Sequence, residues 1–242
     1  LTDRALGRVV KAYQGAGIWD KTAVLITSDH GFAEVTHTMD LRRLLKKEGY
    51  SNYLWYNGPR AKKDELVSLF NGHTAFLYAR SPRVRRALPA LVKLLKGYPG
   101  CVERVLGPRA YAALGLPLPA RAADGKARKP TEHRGAPDLI VLAKPHCLFR
   151  GGSKRRPVVY ELKKGPIGAH GYPPRHRPLR ALLVAAGPGL AQRKGALKVA
   201  DLVDVAPTAA HLLGLRWPKT FPAFPQRAFT LDGRILRDLL AP

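Results

Sequence analysis

The chain has 242 residues, 45% of them hydrophobic, and its 42 Lys and Arg against 17 Asp and Glu give a formal net charge of +25. It is long enough to bury a sizeable core as one large domain or a domain with an appendage, and no apolar run approaches the roughly 18 residues of a membrane span. The two cysteines lack Cys-x-x-Cys spacing, which argues against a cysteine zinc site and allows at most one disulfide.

The positive charge has two interpretations. A positive field would steer anionic phosphate esters or nucleic acid toward the protein. Alternatively, the basic residues form an ordinary solvated surface. They are spread along the whole chain and no aromatic residues are interleaved with them for base stacking, which favours the solvated surface and argues against a nucleic-acid partner.

The first predicted elements are a helix over residues 1–17 and a strand in the segment TAVLITSDHG, which begins at Thr22. The continuous apolar residues 23–26 predict a strand buried on both faces of a parallel sheet. Asp29 and His30 follow its carboxyl end, where open parallel sheets keep their sites. We expect Gly31 to turn the chain there through a positive φ, so that both side chains meet one metal ion. The alternative is an ordinary turn with an exposed histidine.

The middle of the chain predicts an alternation of helices and strands. Caps, apolar spacing and terminal glycines predict a short amphipathic helix and a longer one. Short apolar runs predict a strand, an edge strand and a buried strand. This succession is typical of an α/β or α+β layer. The segments are residues 40–49 (helix), 74–79 (strand), 81–96 (helix), 101–106 (edge strand) and 138–143 (buried strand). Residues 107–137 are rich in Pro, Gly, Ala and basic residues and predict a loop excursion.

A second glycine-rich motif, GPIGAHGYPP over residues 165–174, places His170 between Gly168 and Gly171. Backbone freedom there would allow the imidazole to be aimed, although a lone histidine in such a loop is more often structural. An apolar run over residues 179–186 and the turn GPG follow. The segment DLVDVAPTAAHLLGL, residues 201–215, then predicts a helix that Pro207 opens and Gly214 closes.

Taken in order, SDHG, GAHGY, GPGL and DVAPTAAHLLGL resemble the type I phosphodiesterase and nucleotide pyrophosphatase branch of the alkaline phosphatase superfamily. The resemblance runs discontinuously from the first helix to about Leu215. It implies an α/β fold with a doubly wound, mostly parallel sheet, here incomplete at the amino-terminal side. It also implies two divalent metal ions, zinc or alternatively manganese, and hydrolysis of small phosphate mono- or diesters through a Thr or Ser nucleophile.

The resemblance assigns metal-ligand roles to three residues. Asp29 and His30 match ligands of the metal that activates the nucleophile, and His170 matches a ligand of the other metal. We therefore expect the three side chains to converge in one pocket. No residue of this chain matches the nucleophile, so the resemblance assigns no catalytic residue here.

The same comparison indicates that residues 1–242 are the carboxyl-terminal part of one catalytic domain. The family's nucleophile and its remaining ligands would lie upstream of Leu1, and the missing amino-terminal half of the protein is the expected partner. Residues 216–242 carry no family signal and form a tail of unknown role. An internal amino terminus would make the absence of a signal peptide uninformative, and the compartment stays open although relatives are often exported.

Two alternatives to a hydrolase fragment remain open. A metal-dependent phosphomutase of the same superfamily also uses Asp-His-Gly after a strand, although the GAHGY loop resembles the phosphodiesterase branch better. The other alternative is a binding protein, either a degenerate family member without catalysis or a basic nucleic-acid binder.

Three further histidines are weaker candidates for site residues. His37 would either approach the metal pocket or lie solvated in a loop, and His73 is expected to end a loop before a strand. His176 lies between two arginines in sequence and would face an anionic substrate.

Overall fold

The computed structural model describes residues 2–50, 52–54, 66–114, 136–151, 156–173, 176–192, 195, 197, 200–218, 220–221, 229–230 and 232–241. The chain divides into two compact units. Unit 1 combines Leu1–His30 with Ala181–Pro242, and unit 2 is the segment Gly31–Arg180 between them. Each unit is described by itself below.

The described residues include helices of 7 to 15 residues and mostly short strands. The helices are α1 (Thr2–Gly15), α2 (Leu41–Lys47), α3 (Pro82–Lys96) and α4 (Val205–Leu212). The strands are β1 (Val24–Thr27), β2 (Ala33–Val35), β3 (His37–Asp40), β4 (Asn52–Leu54), β5 (Leu66–Asn71), β6 (Thr74–Ala79), β7 (Val102–Leu106), β8 (Leu139–Ala143), β9 (Cys147–Arg150), β10 (Val159–Glu161), β11 (Ile167–Ala169), β12 (Leu183–Ala186), β13 (Thr220–Phe221) and β14 (Phe229–Thr230).

The core of unit 2 is a five-stranded sheet in the order β4-β5-β6-β8-β7. All its neighbours are antiparallel except β4 and β5. β8 is buried at every residue, as a central strand with an uninterrupted apolar sequence requires. Helices α2 and α3 bury leucines in the core that this sheet forms, and each such side chain stabilises the fold by about 1.5–3 kcal/mol. The predicted strands at 74–79 and 138–143 and the edge strand at 101–106 are confirmed.

Helices α2 and α3 begin where their capping residues predict. Asp40 accepts a hydrogen bond from the backbone N–H of Arg43 at 2.9 Å, and Ser81 accepts one from Val84 at 3.2 Å. These bonds satisfy amide groups that the first turn leaves without a partner, and Pro82 suits the first helical position because it has no N–H to lose. The predicted helices over residues 40–49 and 81–96 are therefore confirmed, with the caps just outside the helices.

Unit 2 also contains two small sheets that sequence analysis did not predict. β3 pairs with β10 and β9, and β2 pairs with β11. The β2–β11 ladder sets Ala169 opposite Ala33. A disulfide joins Cys101, just before β7, to Cys147 at the start of β9, with both residues fully buried. Among the two open possibilities, free thiols or one disulfide, the structure has the disulfide.

In unit 1, β1 pairs with β12 in an antiparallel ladder. The prediction of a fully buried strand in a parallel sheet is therefore wrong for β1 within the described residues: residues 24–26 are half-buried and the partner runs antiparallel. In the part of the chain that the structure describes, β12 is the one strand paired with β1, so a single antiparallel neighbour takes the place of the predicted parallel sheet. Helix α1 has no buried residue.

The carboxyl-terminal tail packs against α4 within unit 1. The buried Asp204 accepts a hydrogen bond from the backbone N–H of Arg234 at 2.9 Å, and the Thr208 hydroxyl accepts one from Leu236 at 3.0 Å. Pro207 lies in the first turn of α4, and Gly214 follows its end with φ of 68°, as the sequence predicts. The central part of the predicted excursion, residues 115–135, lies outside the described residues. No described helix has the length and apolar character that crossing a membrane requires.

Candidate metal centre

Asp29 and His30 follow the carboxyl end of β1 in unit 1. The Nε2 atom of His30 lies 3.4 Å from Oδ2 of Asp29, while Oδ1 of the same carboxylate accepts the backbone N–H of His30 at 3.0 Å. The Asp29 side chain is 84% exposed and that of His30 is 30% exposed. The two side chains therefore lie in contact on one side of the chain.

The position of this pair is set by the β1–β12 ladder. Beyond the last strand residue, Ser28 and Leu182 exchange two hydrogen bonds: the backbone N–H of Ser28 donates to the Leu182 carbonyl, and the Ser28 hydroxyl accepts the Leu182 N–H at 3.0 Å. The Thr27 hydroxyl donates to the same Leu182 carbonyl at 2.9 Å. Side chains thus extend the pairing by one residue and fix the chain immediately before Asp29.

Gly31 is required for space, not for its conformation. It is not among the glycines with positive φ, so the predicted left-handed turn is wrong. Its N–H donates to the Leu179 carbonyl at 3.0 Å, and a Cβ at this position would overlap the carbonyl oxygen of Pro178. Close approach of the 178–180 backbone within unit 2 therefore explains the glycine.

His170 follows β11 in unit 2, where Gly171 takes a φ of 86°. Its ring is half-buried and packs edge-on against the Phe32 ring with the ring centroids 6.1 Å apart. Its carbonyl oxygen accepts the backbone N–H of His73 at 3.1 Å. Two elements therefore hold His170: the β2–β11 ladder and the turn that contains His73.

The weaker histidine candidates, His37 and His176, also belong to unit 2. His37 is the first residue of β3, so it is not a loop residue; its Nδ1 atom lies 2.8 Å from the Thr36 hydroxyl and its ring packs against that of His146 at 5.5 Å. The ring of His176 packs against that of Tyr172 at 4.9 Å.

The Asp29–His30 pair suits a tetrahedral metal ion such as zinc. Ligand bonds of 2.0–2.2 Å place the ligand atoms of a tetrahedral ion about 3.3–3.6 Å apart, and the observed separation of Oδ2 and Nε2 is 3.4 Å. Carboxylate oxygen and imidazole nitrogen are ordinary zinc ligands. Among the described residues, no three His, Cys, Asp or Glu side chains are grouped so that they could hold a metal ion.

Comparison with known proteins identifies the family. The sequence model of the type I phosphodiesterase / nucleotide pyrophosphatase family matches residues 1–173, a segment that includes Asp29, His30 and His170. The chain belongs to this family. No match was found among curated protein sequences.

Solved structures show the fold of the family. Murine ectonucleotide pyrophosphatase / phosphodiesterase 5 matches 99% of this chain with 16% identity and a TM-score of 0.62. The human protein of the same name matches 100% of the chain, also with 16% identity and with a TM-score of 0.64. The α/β fold of the alkaline phosphatase type is thereby confirmed. The chain spans about half of each relative, 51% of its length.

His73 contacts the His170 backbone within unit 2, a role that sequence analysis missed. The prediction that it ends a loop before a strand is correct, because β6 begins at Thr74. The signal present in the sequence was the pair Gly72-His73 between two apolar runs, which is typical of a hairpin turn. That this turn would lie against the His170 backbone follows from tertiary structure alone.

Proposed function

We propose that this chain supplies part of the two-metal centre of a hydrolase that acts on small phosphate mono- or diesters. Asp29 and His30 bind the metal that activates the nucleophile, and His170 binds the other. The observation that carries the proposal is the Oδ2–Nε2 separation of 3.4 Å in a pair that follows β1, within the residues that the family model matches.

The residues have distinct chemical roles in this proposal. The Asp29 carboxylate and the His30 and His170 imidazoles would hold the cations through their side-chain oxygen and nitrogen atoms. Two divalent ions, when bound, would neutralise the charge that develops on the phosphoryl oxygens during an in-line displacement. The nucleophile and the other ligands come from the half of the family fold that this chain does not span, and we expect this chain alone to be inactive.

Hydrolysis assays test this proposal. With zinc or manganese present, the 242-residue chain should not measurably hydrolyse bis-p-nitrophenyl phosphate or p-nitrophenyl phosphate, because no nucleophile is in place. Joining the upstream segment, read from the genomic sequence before Leu1, should restore hydrolysis. In the restored protein His30→Ala should reduce turnover by at least about a hundredfold and chelation of the metal should do the same, because the metal that activates the nucleophile is lost.

His211→Ala is the matched control in the restored protein, since His211 is an exposed histidine of α4 in the same unit as His30. Its turnover should equal that of the unmodified protein. Metal-dependent turnover by the 242-residue chain alone would contradict the missing nucleophile, and full activity of the restored His30→Ala variant would contradict the assigned ligand.

A further inference from the structure

The turn between β5 and β6 holds the backbone of the His170 loop within unit 2. We call residues Asn71–Thr74 the 71–74 turn. His73 makes two contacts with the carbonyl oxygen of His170: its backbone N–H donates at 3.1 Å, and its ring Nδ1 lies at 2.9 Å. The Thr74 hydroxyl donates to the carbonyl of Gly171. Consecutive residues of the turn thus bind consecutive carbonyl groups of the loop.

The ring of His73 is fully buried and bridges two segments of unit 2. Its Nε2 atom lies 2.9 Å from the carbonyl oxygen of Pro145, in the connection between β8 and β9. Carbonyl oxygens only accept hydrogen bonds, so each ring nitrogen donates where its bond forms. The Tyr172 ring packs edge-on against His73 at 5.4 Å.

Two glycines allow this close approach. Gly72 has a φ of 59° and Gly171 a φ of 86°, values that favour glycine. A Cβ on Gly72 would overlap the His170 carbonyl, and a Cβ on Gly171 would overlap the carbonyl of Asn71. The turn and the loop are therefore fitted to each other through their backbones, and side chains larger than hydrogen are excluded on both sides.

We propose that His73 is a positioning residue for His170, acting through the His170 backbone. Metal-bound histidines are commonly oriented by a partner of the second ring nitrogen, and loss of such a partner weakens metal binding or activity. Here His73 holds the backbone carbonyl group of His170, not the ring of His170. The metal part of this inference rests on the proposed function, whereas the hold on the loop does not.

Two substitutions at His73 separate positioning from general stability. In His73→Asn the side-chain amide nitrogen occupies roughly the place of Nδ1 and can still donate to the His170 carbonyl. In His73→Gln the amide nitrogen lies roughly at the place of Nε2 and can donate to the Pro145 carbonyl instead. Each variant keeps one of the two side-chain bonds and loses the other. If His73 acts only through the overall stability of the unit, hydrogen exchange of the loop should change equally in the two variants. If His73 positions the loop, exchange should change more in His73→Gln.

Hydrogen exchange of the backbone amides of residues 167–172 is the first measurement, and it needs no metal. We expect exchange about tenfold faster in His73→Gln than in the unmodified chain, the size expected for one lost hydrogen bond, and near-normal exchange in His73→Asn. Equal exchange in the two variants, or unchanged exchange in His73→Gln, would overturn the proposal.

Thr74→Val keeps the inference testable if the His73 variants fail to fold. It removes the hydroxyl that donates to Gly171 and should also accelerate exchange of residues 167–172. Thr38→Val is the matched control, because Thr38 is fully buried in β3 of the same unit and its hydroxyl has no hydrogen-bond partner among the residues that the structure describes. Exchange of the loop that is no faster in Thr74→Val than in Thr38→Val would contradict the hold by the turn.

Zinc titration followed by NMR of the His170 ring is the second measurement, with His170→Gln used to assign the signal. We expect a zinc-dependent shift in the unmodified chain that is retained in His73→Asn and weakened in His73→Gln. The same shift in all three proteins would overturn positioning of the ligand. No zinc-dependent shift in the unmodified chain would instead remove His170 from the proposed function. The hydrogen-exchange comparison would then test by itself whether His73 holds the loop.

Discussion

At the scale of single residues, Tyr111 has the clearest link between environment and chemistry. It is fully buried, and its hydroxyl donates to the carbonyl of Pro137 at 2.8 Å. Burial, followed by the negative charge of Asp138, raises the pKa of Tyr111 far above its ordinary value of 10.0. The same causes raise the pKa of Tyr78 on β6. Both tyrosines therefore favour a folded state in which they keep their protons.

The raised pKa makes stability depend on alkaline pH. An unfolded tyrosine ionises near pH 10, whereas folded Tyr111 keeps its proton, so unfolding releases a proton between the two pKa values and stability falls as the pH rises above about 10. Tyr111→Phe should make this decline shallower and cost about 1 kcal/mol at pH 7 for the lost hydrogen bond. Urea unfolding between pH 7 and 11 measures both.

The control for this prediction is Tyr13→Phe, which removes the hydroxyl of an exposed tyrosine on α1. Its free energy of unfolding at pH 7 should equal that of the unmodified chain. A Tyr111→Phe variant whose stability declines as steeply above pH 10 as the unmodified chain would show that Tyr111 does not govern the alkaline transition.

At the scale of secondary-structure elements, the disulfide ties two strands of different sheets in unit 2. Cys101 precedes β7 of the five-stranded sheet, and Cys147 begins β9, which pairs with β3. The Cα atoms are 5.5 Å apart and 46 residues separate the cysteines in sequence. Nearby, Nε2 of His146 lies 2.9 Å from the Gly100 carbonyl, so a hydrogen bond reinforces the same junction.

Removal of this disulfide should destabilise the protein. By the loop-entropy relation, a cross-link that closes a loop of about 46 residues contributes up to about 4 kcal/mol, because it restricts the unfolded chain. We expect the Cys101→Ala/Cys147→Ala variant to lose a large part of that amount in urea unfolding. The unmodified chain with reductant should lose a similar amount, whereas reductant should not affect the variant. Equal stability of the two proteins without reductant would contradict the cross-link.

The element scale also explains which helices and strands could be predicted. α2 and α3 carry capping side chains and apolar faces in their own sequence, and β6 and β8 are apolar runs bounded by turns. Strands such as β2 and β11 have three residues each, too few to establish a period. They exist because they pair with each other, which is a property of the folded chain.

At the scale of the whole molecule, the three proposed ligands are divided between two metals and two segments of the chain. Asp29 and His30 precede the inserted unit 2, and His170 lies near its end. Each metal would thus receive only one or two ligands from this chain, fewer than the three protein ligands typical of a catalytic zinc site. We therefore expect the isolated chain to bind metal weakly.

Calorimetric titration with zinc tests this consequence. The 242-residue chain should bind zinc weakly, without a saturating stoichiometric phase, and Asp29→Ala and His170→Ala should each weaken binding further because each removes a ligand. Glu34→Ala provides a control, since Glu34 is an exposed carboxylate close to Asp29 in sequence. Tight stoichiometric binding that survives both ligand substitutions would show that other residues bind the metal.

The sequence by itself determined the family, the fold class and the proposed ligands, because SDHG, GAHGY and DVAPTAAHLLGL are local patterns that follow one another in the order typical of the family. It also determined the capped helices, whose signals lie within a few residues of each other. Tertiary structure alone decided the antiparallel partner of β1, the steric need for Gly31, the disulfide and the contact of His73 with the His170 carbonyl. Each of these depends on residues far apart in sequence approaching within a few ångströms, and no local pattern encodes that approach.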